Sequence, residues 1–363
     1  MRQQSSAAAP LLAAAALLLA APRTAALIPR AATPPRRVVR AAAAATDGNA
    51  AQQYDVVVLG AGPSGLATAA ECRKRGLSVC VADPTLQKTW PNNYGVWIDE
   101  VAPLGYDDCV DVVWKQSKVI FEDVGGDLPN CTLNRPYGRV DRKALKKRLL
   151  DECRGATLLE ARATAVDHAD DASSRVTLDD GSEIEGLVVV DATGFRRRFV
   201  EHDAAFDPGF QVTYGALLRV PGGHPFALDE LVLMDYRDGY IGDDAAMRAA
   251  NERFPTFMYV MPISEDEIFF EETVLVSRPG GDSRDLEARL KKRLRESYGI
   301  ESFEVLESER AAIPMGGMDP VIPQRTVGCG STASCVHPAS GYMVARALEV
   351  APRVAAALAA HPR

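Results

Sequence analysis

The stretch from Tyr54 to Asp83 restricts this chain more than any other. Tyr54 to Leu59 is a short apolar run rich in valine, the pattern of a buried strand. It runs directly into Gly60-Ala61-Gly62-Pro63-Ser64-Gly65, a G-x-G-x-x-G turn. Leu66 to Arg75 then reads as a helix ended by Gly76, and Leu77 to Ala82 as a second strand closing on Asp83. Strand, glycine turn, helix, strand and acid in that order form the βαβ dinucleotide fingerprint. In this reading Gly60 permits the tight turn, Gly62 lets backbone approach a pyrophosphate, and Gly65 lets the helix pack close to the strand. The helix N-terminus faces the phosphate, and Asp83 bonds a ribose hydroxyl.

A second stretch carries the chemistry. Ile268-Phe269-Phe270-Glu271-Glu272-Thr273 reads as a strand of bulky residues with two adjacent carboxylates. Side chains alternate across a strand, so Glu271 and Glu272 point to opposite faces. A carboxylate on a buried apolar face is costly to ionise, so its pKa rises and it is kept as an acid. One of the two is expected to be a proton donor to a very apolar substrate, with a flavin supplied beside it by the rest of the chain.

Between these stretches, Trp90 to Trp97 is dense in rings and amides and reads as a loop of the kind that lines pockets. Asp141 is a plausible N-cap for a helix over residues 142–150, with Arg142 in its first turn placed to reach a phosphate. Leu187 to Val190 is a buried strand ending in Asp191-Ala192-Thr193-Gly194, which again brings backbone close to something flat or charged. Residues 210–276 are strand-rich, with Pro and Gly in the connections, and read as an antiparallel substrate layer. Asp285 to Tyr298 is a basic amphipathic helix, read as covering that sheet with a solvated outer face rather than lying on an anionic membrane. At the end a strand, a Gly-rich loop and a helix opening at Gly341 repeat the nucleotide-domain pattern.

Residues 1–46 hold six arginines and no acid, with a short apolar run over Ala8 to Ala21 followed by an Arg- and Ala-rich segment. This resembles a bipartite plastid leader. Without those arginines 35 basic residues face 49 acidic ones, a net charge of −14, which argues against nucleic-acid binding. The seven cysteines form no C-x-x-C pair and read as reduced thiols, and no metal site is expected. The body has no apolar run long enough to span a bilayer.

Eight stretches, in order, resemble the lycopene cyclases of plastids, and the β type among them. They are residues 90–97 (WPNNYGVW), 134–140 (NRPYGRV), 191–195 (DATGF), 234–238 (MDYRD), 257–262 (FMYVMP), 269–273 (FFEET), 313–317 (IPMGG) and 337–346 (HPASGYMVAR). The resemblance, over residues 54 to 353, implies an α/β fold similar to aromatic hydroxylases and geranylgeranyl reductases. A three-layer Rossmann-like FAD domain (51–209 and 310–363) would carry an inserted, mostly antiparallel substrate domain (210–309), with 90–140 contributing to the substrate side and 1–50 as leader.

The resemblance also implies reduced FAD, NADPH as reductant, lycopene drawn from a membrane by peripheral contact, and a plastid location. Glu271 corresponds to the catalytic acid, with Glu272 beside it. Gly60, Gly62, Gly65, Asp83, Arg142, Asp191, Gly194, Gly330 and Gly341 would hold the cofactor. Trp90, Tyr94, Trp97, Tyr137 and Phe269 would line the substrate pocket. Three departures stand out. Gly330-Ser331 replaces the usual Gly-Asp, Phe269-Phe270 replaces the commoner Phe-Leu and matches a spelling of ε-cyclases, and the chain stops at Arg363 where the family usually continues. The implied reaction is an acid-catalysed, non-redox closure of a polyene end through a carbocation. An ε-cyclase, a flavin-dependent prenyl reductase or carotenoid epoxidase, and a non-catalytic flavin-binding carotenoid carrier are the rival readings.

Overall fold

The computed structural model describes residues 52–121, 130–168 and 172–360. The expected leader lies outside the described residues.

The βαβ unit forms where the sequence places it. Strand β1 (Gln52–Leu59) pairs in parallel with β2 (Val79–Ala82), and helix α1 (Pro63–Lys74) connects them. Pro63 occupies the first turn of α1, where the missing N–H costs nothing. Val56, Val57, Val58 and Leu59 are all buried, as a strand covered on both faces requires. The sheet has seven strands. Beyond β1 lies β3 (Glu183–Asp191), which pairs antiparallel with Ser174–Leu178, itself antiparallel to Ala163–Asp167, and in parallel with Thr326–Gly328. Leu66, Ala69 and Ala70 of α1 pack with Val344, Leu348 and Ala351 of the last helix, Val344–Ala360, so the C-terminal segment returns to the nucleotide fold.

A second seven-stranded sheet is built around β4 (Gly209–Arg219), β5 (Thr256–Pro262), β6 (Glu267–Val274) and β7 (Glu304–Met315), laid side by side in the order β7-β4-β6-β5, all antiparallel. It continues through Glu230–Asp235, Gln116–Ile120 and Cys131–Leu133. Strand β7 runs across residue 310, at which the inserted segment was expected to end. A small sheet of Gly95–Trp97, Tyr137–Val140 and Val110–Trp114 lies beside them.

Helix α2 (Ser283–Tyr298) covers one face of the second sheet with Leu286, Leu290 and Leu294. It departs from the expected solvated basic face at two positions, because Arg289 and Arg293 are fully buried. The reason lies on β6, whose inward carboxylate, Glu272, needs a cation. Among the described residues no helix is long and apolar enough to cross a membrane, and no cluster suits a metal ion.

Candidate functional site

Alternation along β6 divides its two glutamates between different environments. Glu272 enters the core between the sheet and α2, fully buried. It accepts hydrogen bonds from Arg293 Nη2 at 2.9 Å and from the Thr256 hydroxyl, with Tyr240 Oη at 3.5 Å. Burial raises its carboxyl, while the Arg293 guanidinium opposes that shift. Glu272 was expected to share the chemistry with its neighbour. It has no access to the cavity described next, and its bonds are those of a core ion pair.

Glu271 faces the other way, into a cavity of about 330 Å³. Burial raises its carboxyl above the ordinary range, and the Thr273 hydroxyl donates to Oε1 at 2.7 Å. The cavity is lined by Tyr94, Tyr137, Phe257, Tyr259, Tyr342 and Met234 on one side, and by Gly62, Ser64, Gly194 and Gly341 on the other. The rings are ordered by each other. Tyr137 stands edge-on to Trp97 (centroids 4.8 Å apart) and Tyr259 (6.5 Å), and tilts against Tyr342 (5.9 Å). The acid therefore shares one apolar, aromatic chamber with the glycine turn of the βαβ unit.

A third carboxylate joins it. In the register of the sheet Gly215 of β4 lies opposite both Glu271 on β6 and Glu309 on β7. Cross-strand neighbours share a face, and two strand spacings separate the glutamate backbones by about 10 Å. Where a Gly215 Cβ would stand lie the end of the Phe269 ring and the Glu309 stem, and both glutamates line the same cavity. Glu309 Oε2 accepts the Asn93 N–H at 2.6 Å. Burial and the adjacent Glu271 push Glu309 up to about 8. Like charges this close cannot both ionise readily, so the pair retains a proton in the neutral range. Nothing in the sequence singles out Glu309. The one usable signal was a glycine inside a strand, which often marks a close approach.

The residues present fit a dinucleotide. Gly60 has φ +110°, and a Cβ there would sit 2.4 Å from Ala192 O. At Gly62 a Cβ would meet nothing within 4 Å, the open space a phosphate needs. Helix α1 has no side-chain cap and no acid in its first turn, so its N–H groups are free to face an anion. The buried Ser64 hydroxyl, in that turn and on the cavity wall, has no partner. Gly65 packs closely, as expected, with its missing Cβ 2.0 Å from Gly60 O.

Other expected residues lie further out. Asp83 bonds Ala61 N–H (2.8 Å), Thr85 N–H (2.6 Å) and the Thr85 hydroxyl (2.8 Å), and keeps acceptor capacity for a ribose. Asp191 is wholly buried and ties down the Ala192–Gly194 turn through Thr193 and Phe199, so it shapes the cavity without lining it. Gly330 abuts Ser64 rather than the cavity. Trp90 donates to Ala61 O at 2.9 Å within the α1 core, and Trp97 backs Tyr137, so both stand behind the wall. Phe269 and Arg142 lie in a neighbouring polar cleft of about 260 Å³. There Arg142 donates to Pro91 O at 2.9 Å and to the Glu307 carboxylate.

A family model described as lycopene cyclase protein matches residues 55–363. The chain belongs to the lycopene cyclase family. It is 45% identical over 314 residues to "Lycopene beta cyclase, chloroplastic" of Arabidopsis thaliana, covering 86% of this chain and 61% of that one. It is 44% identical over 310 residues to "Neoxanthin synthase, chloroplastic" of Solanum lycopersicum, covering 84% and 60%. This lycopene cyclase family chain thus spans about three-fifths of the length of the curated relatives it matches. Its fold is that of flavin-dependent Rossmann-type proteins. It is similar to a geranylgeranyl bacteriochlorophyll reductase-like protein from Thermoplasma acidophilum (TM-score 0.70, 13% identity, 85% of this chain and 79% of that one). It is also similar to the flavin-dependent brominase Bmp2 (TM-score 0.60, 18% identity, 85% and 79%).

Proposed function

We propose that this chain closes the linear ends of lycopene into β-ionone rings in the plastid, as a flavin-dependent isomerisation without net redox change. The observation that carries this reading is the placement of Glu271, a carboxyl that burial shifts upward, in an aromatic chamber that also takes in the dinucleotide turn. An exposed carboxylic acid is ionised at neutral pH and has no proton to give an alkene, whereas burial favours the protonated form and keeps water from trapping the cation.

Glu271 gives its proton to the terminal double bond, and a tertiary carbocation forms. The next double bond attacks it and a six-membered ring closes. Loss of a proton from the ring ends the reaction, so atoms and electrons balance within the substrate. Tyr94, Tyr137, Tyr259 and Tyr342 line the chamber, and their π-density would favour the cation. Gly60, Gly62, Ser64, Gly194 and Gly341 would hold FAD, with NADPH as the reductant that keeps it reduced. Bound there, reduced flavin would supply negative charge that favours the cation. Lycopene would enter from a membrane on which the protein rests peripherally.

The test is incubation of the reduced protein with lycopene, followed by analysis for one ring, two rings or oxygen. Glu271→Gln is expected to lower ring closure by about 100-fold or more while flavin still binds. Ordinary activity in that variant would refute the assignment. Stoichiometric NADPH consumption would favour a redox enzyme of the same fold. Because relatives named neoxanthin synthase match equally well, xanthophyll substrates belong in the same assay.

A further inference from the structure

We infer that Glu309 is the proton partner of Glu271, holding one proton jointly with it and connecting it to solvent through the polar cleft beside the cavity. This rests on the cyclase reading above for its role in turnover, but the pairing itself stands on the geometry of the sheet.

Three observations converge. The first is the register. Gly215 pairs with both glutamates, which places their side chains on one face of the sheet, and both line the cavity. A Cβ at Gly215 would lie 3.1 Å from Glu309 Cγ and 2.6 Å from the end of the Phe269 ring, so any larger residue would disturb this arrangement. The second is position. Glu309 lines both the aromatic cavity and the neighbouring cleft, whereas Glu271 lines only the cavity. The cleft is walled by the charged side chains of Asp111, Arg139, Arg142, Lys143 and Glu307, which favour water there. The third is orientation. The Asn93 N–H holds Glu309 Oε2 at 2.6 Å, which fixes the carboxyl at the cavity wall that Asn93 also lines.

The consequence for turnover is a proton cycle that needs no outside acid. At rest the pair holds one proton and one negative charge. Donation from Glu271 to the alkene leaves two carboxylates next to the carbocation, where their charge stabilises it. The proton lost from the ring returns to the pair and restores the starting state. Glu309 acts through Glu271, and is in that sense a positioning residue with an exchangeable proton. The charged and titratable groups facing it are Glu271 from β6, Glu307 from its own strand, Arg142 from the helix Arg142–Glu152, Tyr94 from the aromatic loop and Tyr259 from β5.

The experiment reads the carboxylic-acid C=O band of the full chain by infrared spectroscopy across pH, without substrate, in wild type, Glu271→Gln, Glu309→Gln and Glu309→Asp. The expected result is a protonated band that persists above pH 7 in wild type and titrates at a different pH in each glutamine variant, while flavin binding stays close to wild type. Glu309→Asp retains the band, with its titration moved by about a pH unit, because the shorter side chain only partly bridges Gly215. In lycopene turnover the alkaline limb of the pH profile moves in Glu309→Gln, because the carboxyl that shares the proton with Glu271 is gone. A band and pH profile unchanged in Glu309→Gln would overturn the proposal. Should Glu309→Gln fail to fold, an unchanged titration in Glu309→Asp would overturn it equally. A shared band in a protein that forms no ring would uphold the pair and remove the cyclase reading instead.

Discussion

Replacing Gly62 by alanine separates the fold of the glycine turn from its purpose. Gly62 is the N-cap of α1, at φ −72° and ψ 177°, a conformation alanine adopts freely. Its absent Cβ points into space with no neighbour inside 4 Å. Alanine is a poorer N-cap than glycine, but it reduces the freedom of the unfolded chain by about 0.4–1 kcal/mol. The two effects nearly cancel, and stability should stay within about 1 kcal/mol of wild type. The methyl group would occupy the place where a phosphate must touch backbone, so flavin affinity should fall at least about tenfold, or 1.4 kcal/mol. Gly60→Ala is the control. It forces a side chain to φ +110° and against Ala192 O at 2.4 Å, and should destabilise the protein by about 2–3 kcal/mol or more. Urea denaturation without flavin and fluorescence titration with FAD measure the two quantities. Unimpaired FAD binding by a well-folded Gly62→Ala protein would refute the placement of the cofactor.

Three further outcomes follow from the same geometry. Arg293→Met strands the Glu272 carboxylate in the core and should cost about 3–5 kcal/mol, most of it recovered when Glu272→Met is added, as read by urea midpoints of both proteins. Gly215→Ala should lower the melting temperature, through about 1–3 kcal/mol of overpacking, and split the infrared signature of the carboxyl pair. Glu309 sits near 8 in the folded chain against 4.5 when unfolded, so the native state binds the extra proton. Its contribution is full below about pH 4.5 and is lost as pH rises toward 8, by about 2 kcal/mol after discount for partial exposure. Wild type should therefore lose stability relative to Glu309→Gln across that window, and a pH-independent difference would contradict the assignment.

The elements legible in the sequence are those whose logic is local. The glycine turn follows from the conformations that Gly60 and Gly62 allow, and the opposite facing of Glu271 and Glu272 follows from the two-residue period of a strand. The role of Glu309 was not legible because it depends on how β7 pairs with β4, which no nearby residue announces. Arg142 shows the same limit from the other side. Its helix and cap were readable from Asp141, but the direction of the guanidinium is set by Glu307, far along the chain. Arg289 and Arg293 looked like a solvated face until Glu272 was placed beneath them.

Strand β6 behaves as a lever with two working sides. On one side Glu271 meets the aromatic chamber, and on the other Glu272 is bolted through Arg293 to α2. A change beneath α2, remote from any ligand, alters the aim of the acid through the backbone the two residues share. Loss of turnover on replacing Glu272 would thus report a shifted scaffold, and neighbouring essential glutamates need not divide one chemical task between them.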